Sequence, residues 1–191
     1  QEDGKAVESL PADPNVRNFS YTVSKGKIYF RENSRMAPVE LGKKPTERVK
    51  GMIGIRDSAR KLIDLQLKGA DDTEIKAEQA NLNRLYDAYT KKYGILNNPG
   101  NRLAFNQDSS YPLLCSLEVL DDEGNFKQKA DMFTKRTIQH HEAVTSVDTA
   151  AEALAVSIGE RACVDLGFMA SLMGDRSPAG SGDKIPQIVE D

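Results

Sequence analysis

Residues 45–93 constrain the fold most, because they carry the periodicity of two long helices. Apolar residues recur there at three- and four-residue steps, which gives each half one apolar stripe. Between the halves, Gly69 is typical of a helix C-terminus, and Asp71 with Asp72 supplies an acidic N-terminal cap. We therefore predict an antiparallel helical hairpin whose stripes pack together. The other helix faces carry charged residues that we expect to be solvent-exposed. These include Arg48, Lys50, Arg56, Arg60, Lys61 and Asp64.

The composition is that of an ordinary folded protein. Of 191 residues, 39% are hydrophobic and 29% charged, enough for one core or two small ones. The sequence has neither an apolar run long enough to span a membrane nor the pattern of a signal peptide, so we expect a cytoplasmic protein with no membrane partner. Cys115 and Cys163 lie in apolar surroundings, which predicts buried free thiols in a reducing compartment.

The N-terminal part predicts a flexible segment followed by a small sheet. Residues 1–14 are polar and contain Gly and Pro, as flexible termini do. From Phe19 onward, apolar and polar residues alternate on both sides of Gly26, which predicts a β-hairpin with Gly26 at the turn. A short strand at residues 35–39 is expected at the sheet edge, because Pro38 lacks the N–H of an interior strand.

After the helical hairpin, the pattern becomes shorter and more varied. Residues 95–110 are rich in turn formers and predict a loop, with a turn at Asn98-Pro99-Gly100-Asn101. A short helix is predicted over residues 111–117. A second β-hairpin is predicted from residues 118–120 and 126–129, on either side of a turn at residues 121–125. Residues 130–138 fit either a strand or a short helix.

The C-terminal part predicts a small helical unit. Asp148 or Thr149 caps a first helix that ends at Gly159, and Asp165 caps a second helix that ends at Gly174. A third helix is expected near Lys184. The first two resemble the opening helices of a helix-turn-helix unit, with a plain three-helix packing unit as the alternative. The predicted fold class is α+β, mostly α, with a flexible segment at 1–14, a hairpin domain at 15–145 and a truncated helical unit at 146–191.

Residue types that carry chemistry are scarce. His140 and His141 are adjacent and would point to opposite sides of a strand, which disfavours a shared metal. The acidic turn at 121–125 lacks the ligand spacing of a calcium loop. We predict no catalytic residue, metal or cofactor in this piece. The enzyme alternative is a cleft that combines His140 and His141 with Asp131 or Glu142.

The formal net charge of -3 argues against a free-standing, salt-driven nucleic-acid binder. Basic residues nevertheless form local clusters in the sequence. If folding brings these clusters onto one face, they can hold DNA phosphates. Scattered solubilising charge is the alternative. The candidate nucleic-acid-binding residues are Lys43, Lys44, Lys91, Lys92, Arg102, Lys135 and Arg136.

Several long phrases resemble a known family, among them NVRNFSYTVSKGKIYFRENSRM, ERVKGMIGIRDSARKLIDLQL and DTAAEALAVSIGERACVDLGFMASLMG. Over residues 14–174 the chain resembles the linking region of very large bacterial DNA methylase and helicase fusion proteins carried on conjugative elements and phages. The resemblance implies an N-6 adenine DNA methylase upstream and a Swi/Snf-type helicase downstream. Because the chain begins at Gln1 and ends within an expected helix, we expect it to be a piece of a longer polypeptide.

The catalytic motifs of both implied enzymes are missing from this sequence. A methylase needs an Asn/Asp-Pro-Pro-Tyr/Phe motif for the flipped adenine, and Asn98-Pro99-Gly100 does not match it. A helicase needs a phosphate-binding loop and an acidic metal-holding motif. The resemblance therefore implies a non-catalytic spacer that contacts DNA and adjoins the methylase and helicase domains. The alternative is a protein-interaction module of a mobile-element protein that does not touch DNA.

Overall fold

The computed structural model describes residues 9–139 and 144–174. The chain divides into two compact units, Gln1–His140 and His141–Asp191. The predicted class, α+β and mostly α, is confirmed: long helices dominate, and the two sheets are small and antiparallel. None of the described helices combines the length and apolar character that crossing a membrane requires.

The predicted helical hairpin is confirmed. Helix α1 spans Lys43–Leu67 and helix α2 spans Asp72–Tyr93. Gly69 adopts a φ of 71°, a left-handed conformation that ends α1. The Asp71 side chain caps α2 by accepting a hydrogen bond from the Glu74 N–H at 2.8 Å. The signals in the turn thus act as the sequence indicates, and α2 folds back along α1.

The core of the first unit forms where the two apolar stripes meet. The helices approach closely at Gly51, where an added methyl group would lie 2.6 Å from Cδ2 of Tyr89. One charged residue on α1 departs from the prediction: Arg56 is buried, with 3% of its surface exposed. The core is completed by Tyr21 and Ile28, which precede the hairpin, and by residues that follow it. The largest fully buried side chains in this unit include Met52, Ile55, Leu62, Leu82, Leu96, Phe105, Leu114 and Phe133.

A four-stranded antiparallel sheet precedes α1. Its strands are β1 (Leu10–Pro11), β2 (Ser20–Ser24), β3 (Lys27–Glu32) and β4 (Arg35–Pro38), in the order β1-β4-β3-β2. Lys25 and Gly26 have φ values of 47° and 80°, as a two-residue hairpin turn requires. The predicted turn at Gly26 is confirmed.

Two predictions about this sheet need correction. Strand β4 is not at the edge, because β1 pairs with Arg35 and Met36 on its outer side. The pairing stops before Pro38, so the missing N–H of Pro38 faces no ladder partner there. In addition, β1 lies within residues 1–14, so the predicted flexible segment does not include Leu10 and Pro11.

The region predicted as a loop contains a helix. Helix α3 spans Pro99–Phe105, with Asn98 as a cap that accepts a hydrogen bond from the Asn101 N–H at 2.8 Å. Pro99 occupies the first helical position, where its missing N–H has no cost. Helix α4 (Tyr111–Cys115) is two residues shorter than predicted. The second β-hairpin is confirmed as β5 (Glu118–Leu120) and β6 (Phe126–Lys129), and a 3-10 helix follows at Asp131–Phe133.

The described part of the second unit contains helices α5 (Ala150–Arg161) and α6 (Leu166–Leu172). Thr149 and Glu152 form a reciprocal capping box at the start of α5. The predicted end at Gly159 is wrong, because α5 runs to Arg161 and Ala162 takes the left-handed position with a φ of 55°. The Asp165 cap of α6 is confirmed. Cys163 is exposed and Cys115 is half-buried, so neither is the buried thiol that we predicted.

Candidate nucleic-acid interface

The antiparallel hairpin brings the first turn of α1 and the last turn of α2 to the same end. Lys43 and Lys44 begin α1, and Lys91 with Lys92 belongs to the last turn of α2. The Nζ atom of Lys92 lies 2.7 Å from Oε2 of Glu47, which joins the two helix ends directly. Four of the seven candidate residues, those on α1 and α2, therefore gather at the open end of the hairpin.

A groove of about 810 Å³ lies at this end, between α1, α2 and α3. Four cationic side chains and one carboxylate line it, together with an aromatic ring and several small or apolar residues. We call this site the basic groove. Its lining residues are Lys43, Lys44, Pro45, Glu47, Arg48, Lys92, Tyr93, Gly100, Leu103 and Ala104.

Tyr93 contacts two of the four cations of the basic groove. The guanidinium carbon of Arg48 lies 5.2 Å from the centre of the Tyr93 ring, and the Lys92 ammonium lies 5.1 Å from it. Gly100 lets Arg48 lie against α3, because an added methyl group would be 2.9 Å from Nη1 of Arg48. On the same face of α3, Leu103 is 81% exposed and forms the apolar wall.

Arg48 is the cationic residue of the groove that the predicted nucleic-acid-binding residues did not include. It follows Lys44 by four residues, so the two side chains share one face of α1. The sequence contained this signal, but α1 also carries several other cations at similar spacing. Arg48 differs from these cations because it lies against the ring of Tyr93. That contact forms only when α2 packs back along α1, so it is not visible in the sequence of α1.

Two of the candidates near this end point away from the groove. Arg102 is in α3, but it is rotated by roughly 150° from the face that carries Gly100, Leu103 and Ala104, given about 100° per residue. Its charge acts instead on Tyr111, where it opposes the rise in pKa that burial causes. Lys91 is exposed beside Lys92 and does not line the groove.

Lys135 and Arg136 lie at the opposite end of the hairpin. Arg136 donates a hydrogen bond to the Ala70 carbonyl at 2.6 Å, in the turn between α1 and α2. Lys135 pairs with Asp131 at 3.3 Å. The 25 residues of α1 separate the two ends by about 37 Å at 1.5 Å per residue. The seven candidates therefore do not form one surface.

Electrostatics at the start of α1 favour a bound anion. Its first turn contains no acidic residue and its N-cap, Gly42, offers no side chain, so Lys43 and Lys44 lie at the positive end of the helix dipole. The hydrogen bond from Lys92 lowers the pKa of Glu47, and the same bond raises the pKa of Lys92. Glu47 thus stays ionised and offsets one of the four cations, which leaves the groove net positive.

This arrangement is suited to binding rather than to acid–base chemistry. Lysine and arginine side chains bind phosphate oxygens, and the free N–H groups of a helix N-terminus bind anions. The edge of Tyr93 and the exposed Leu103 offer an apolar surface for sugars or unstacked bases. The lone carboxylate of the groove is already paired with Lys92. The basic groove can therefore follow a nucleic-acid backbone.

The described part of the second unit has a different character. Among residues 144–174, Arg161 is a lone cation beside four acidic residues, and it pairs with Asp165 at 2.6 Å. Apolar side chains of α5 are partly exposed, with Leu154 at 37% and Ile158 at 52%. Helices α5 and α6 by themselves thus do not present a phosphate-binding surface. The third helix predicted near Lys184 lies outside the described residues.

Over residues 9–139 and 144–174, no group of three or more His, Cys, Asp and Glu side chains has the geometry to hold a metal ion. The histidine pair considered in the sequence, His140 and His141, lies outside the described residues, as does Glu142. Asp131, the other member of that set, is paired with Lys135.

Comparison with known proteins gives one family match. Residues 146–179 match the family described as "Probable helicase, winged helix domain". The match covers α5 and α6, in agreement with the helix-turn-helix-like unit predicted there, and it associates this part of the chain with helicases. No curated protein and no solved structure matches the chain.

Proposed function

We propose that this chain is a non-catalytic DNA-contacting module and spacer of a helicase-related polypeptide. The observation that carries the proposal is the basic groove, where Lys43, Lys44, Arg48 and Lys92 converge beside Tyr93. Such a groove binds the phosphate backbone without reading sequence. The winged-helix match at residues 146–179 supports a helicase context.

The hairpin suits the role of a spacer between functional domains. A helix keeps its length because the backbone groups of its interior are hydrogen-bonded along its axis, and α1 packs along α2 over most of its length. The sequence resemblance to methylase and helicase fusions motivates the finer proposal that an N-6 adenine DNA methylase precedes this piece and a Swi/Snf-type helicase follows it. In this arrangement the hairpin holds the two enzymes at a fixed separation on DNA.

Charge reversal in the basic groove tests the DNA contact. We expect Lys43→Glu combined with Lys44→Glu to weaken binding of labelled duplex DNA about tenfold at low salt, because two phosphate contacts are lost. The slope of log affinity against log salt should fall by about 1.8, or about 0.9 for each contact. Fluorescence anisotropy at several salt concentrations measures both quantities. The new carboxylates suit a helix N-terminus, so α1 should remain folded.

The matched control is Lys76→Glu combined with Lys127→Glu. Both lysines are exposed, neither lines the basic groove, and the change in net charge is identical. We expect this variant to bind DNA nearly as well as the wild type. Equal losses in the two variants would show that only overall charge matters, and absence of wild-type binding at low salt would contradict DNA contact altogether.

Removal of the Glu47 carboxylate should act in the opposite direction. Glu47→Gln removes the carboxylate that pairs with Lys92 at 2.7 Å, so the charge of Lys92 in the groove is no longer offset. We expect duplex DNA to bind severalfold more tightly at low salt, with a salt slope steeper by about 0.9. The control Glu123→Gln removes an equal charge in the turn between β5 and β6. An affinity gain of the same size in both variants would contradict a local role for Glu47.

A second candidate function is a protein-interaction module, and Leu103 favours it. This side chain is 81% exposed and, together with Pro45 and Ala104, gives the groove an apolar wall on which a protein partner would bury apolar area. A protein partner with an acidic, amphipathic segment would match the same groove. Failure of the wild type to bind DNA, together with retained folding, would favour this function over DNA contact.

A further inference from the structure

A second positively charged site lies on α1, about 18 Å along the helix from Arg48 at 1.5 Å per residue. Two cavities of about 500 and 330 Å³ share Arg17, Arg60 and Asp64 in their walls. We call this site the arginine cleft. Ser109 and Ser110, which precede α4, line the smaller cavity. Each cavity is of the size that holds a small ligand.

Arg60 contains a donor without an acceptor. Its Nε atom is buried and makes no hydrogen bond within the described part of the chain. Its Nη2 atom donates to the hydroxyl of Ser110. Buried polar groups of folded proteins are almost always hydrogen-bonded, and an unpaired donor on a charged group is especially unfavourable. The Arg60 guanidinium is therefore placed for an acceptor that the described residues do not supply.

Two arginines of the cleft, Arg17 and Arg60, form no ion pair with the described residues. Arg17 is exposed and makes no ion pair or hydrogen bond with described residues. Arg56 is nearby, but its charge is already matched by Asp57 at 2.8 Å and Asp108 at 2.6 Å. Burial lowers the pKa of Arg60, and the positive charges of Arg56 and Arg17 lower it further. Asp64 lines the cleft but makes no ion pair with the described residues. The described residues thus give Arg17 and Arg60 no ion-pair partner, although Asp64 shares the cleft and Asp57 and Asp108 act on Arg60 from a longer distance.

We propose that Arg17 and Arg60 form a binding site for a phosphate group in the arginine cleft. The planar donors of arginine match phosphate oxygens in pairs, and the described residues leave Nε of Arg60 without an acceptor. The Ser110 hydroxyl accepts from Arg60, so its own hydrogen remains available to a second phosphate oxygen. The phosphate belongs either to a free small anion or to a nucleic-acid backbone. The site does not depend on DNA contact at the basic groove.

Calorimetric titration with inorganic phosphate at constant ionic strength tests the site. We expect saturable binding to one site, weakened about tenfold by either Arg17→Ala or Arg60→Lys, since each removes a charge-assisted hydrogen bond. Lysine keeps the charge at position 60 but lacks the Nε donor. Asp64→Asn should raise the affinity severalfold, because a carboxylate no longer faces the anion. The control is Arg35→Ala, an exposed arginine on β4 with no described partner.

Competition with short duplex DNA identifies the source of the phosphate. If DNA displaces inorganic phosphate from the wild type, and Arg17→Ala weakens both, the site binds the backbone; if DNA does not compete, it binds a small anion. Both results support the site. Absence of saturable phosphate binding, or equal weakening by Arg17→Ala and Arg35→Ala, would overturn it. Lys43→Glu with Lys44→Glu should leave phosphate affinity unchanged, which separates failure of this site from failure of the basic groove.

Discussion

Replacing Asp108 with alanine is expected to lower the free energy of unfolding by about 3–5 kcal/mol, because it breaks a buried ion pair and leaves one charge behind. Asp108 is 2% exposed and Arg56 is 3% exposed. Oδ2 of Asp108 lies 2.6 Å from Nη1 of Arg56. Without this carboxylate, the guanidinium of Arg56 stays in the core with only a partly exposed partner, Asp57.

Asp108 also holds three elements of the first unit together. Oδ2 accepts the N–H of Tyr21 in β2 at 2.8 Å, and Oδ1 accepts the N–H of Ser110 before α4, also at 2.8 Å. Arg56 adds a bond from α1 to the Tyr21 carbonyl at 2.8 Å. The sheet, the long hairpin and α4 thus share one carboxylate, so its loss leaves buried backbone donors unpaired as well as a charge.

The matched control for this prediction is Asp57→Ala, which removes the other carboxylate that pairs with Arg56. The Asp57 side chain is 56% exposed, so water replaces it easily and the loss should stay below about 1 kcal/mol. Urea unfolding followed by circular dichroism measures both variants, with an unchanged m-value as the check that the same transition is compared. Similar losses for Asp57→Ala and Asp108→Ala would contradict a special role for the buried pair.

The long hairpin was predictable because all of its signals are local. The apolar stripes, the stop at Gly69 and the cap at Asp71 each depend on residues within one or two helical turns. Helix α3 was missed for a related reason. Asn98-Pro99-Gly100 begins a turn or a helix equally well, and the choice depends on Phe105 reaching the core that α1 and α2 form.

The candidate site was only partly predictable, because its residues come from distant parts of the chain. A hairpin implies that Lys43 and Lys92 share one end, and the structure places them there. The hairpin pattern does not indicate which end of the hairpin the segment after β6 packs against. In the structure, Arg136 lies at the turn between α1 and α2, beside Ala70. The side of α3 that faces the groove is also set by packing, which excludes Arg102.

The arginines of α1 illustrate the same limit. Arg48, Arg56 and Arg60 follow one another at eight and four residues, so periodicity alone assigns all three to a solvated face. Their partners differ completely: Tyr93 for Arg48, Asp108 for Arg56, and the Ser110 hydroxyl for Arg60. Each partner comes from outside α1. One helix face thereby supplies a surface cation, a buried structural charge and a half-buried donor, depending on what folds against it.

Glu118 carries the second large expected effect. This residue of β5 is 6% exposed, and its carboxylate accepts four hydrogen bonds. Oε1 accepts from the Tyr86 hydroxyl at 2.7 Å and the Leu96 N–H at 2.6 Å, and Oε2 accepts from the N–H and the side-chain amide of Asn97 at 3.0 and 2.8 Å. It therefore fastens α2, and the segment that follows α2, to the second β-hairpin.

We expect Glu118→Ala to lower the free energy of unfolding by about 3–5 kcal/mol, since each buried donor left unpaired costs roughly 1–3 kcal/mol. Urea unfolding measures the loss. The control Glu123→Ala, in the exposed turn of the same hairpin, should change stability by no more than about 0.5 kcal/mol. A loss for Glu118→Ala as small as that of the control would contradict the proposed role of the carboxylate.

Tyr86→Phe, made in the wild type and in Glu118→Ala, tests whether the stability loss comes from lost hydrogen bonds rather than from lost packing. In the wild type, Tyr86→Phe removes one good hydrogen bond and should cost about 1 kcal/mol. Burial, and then the bond to Glu118, raises the pKa of Tyr86, as expected for a hydroxyl that the carboxylate holds in its neutral form. In a chain that already carries Glu118→Ala, the same hydroxyl is a buried donor without an acceptor, so its removal should be neutral or stabilising. Equal costs of Tyr86→Phe in both backgrounds would show that the two residues are not coupled.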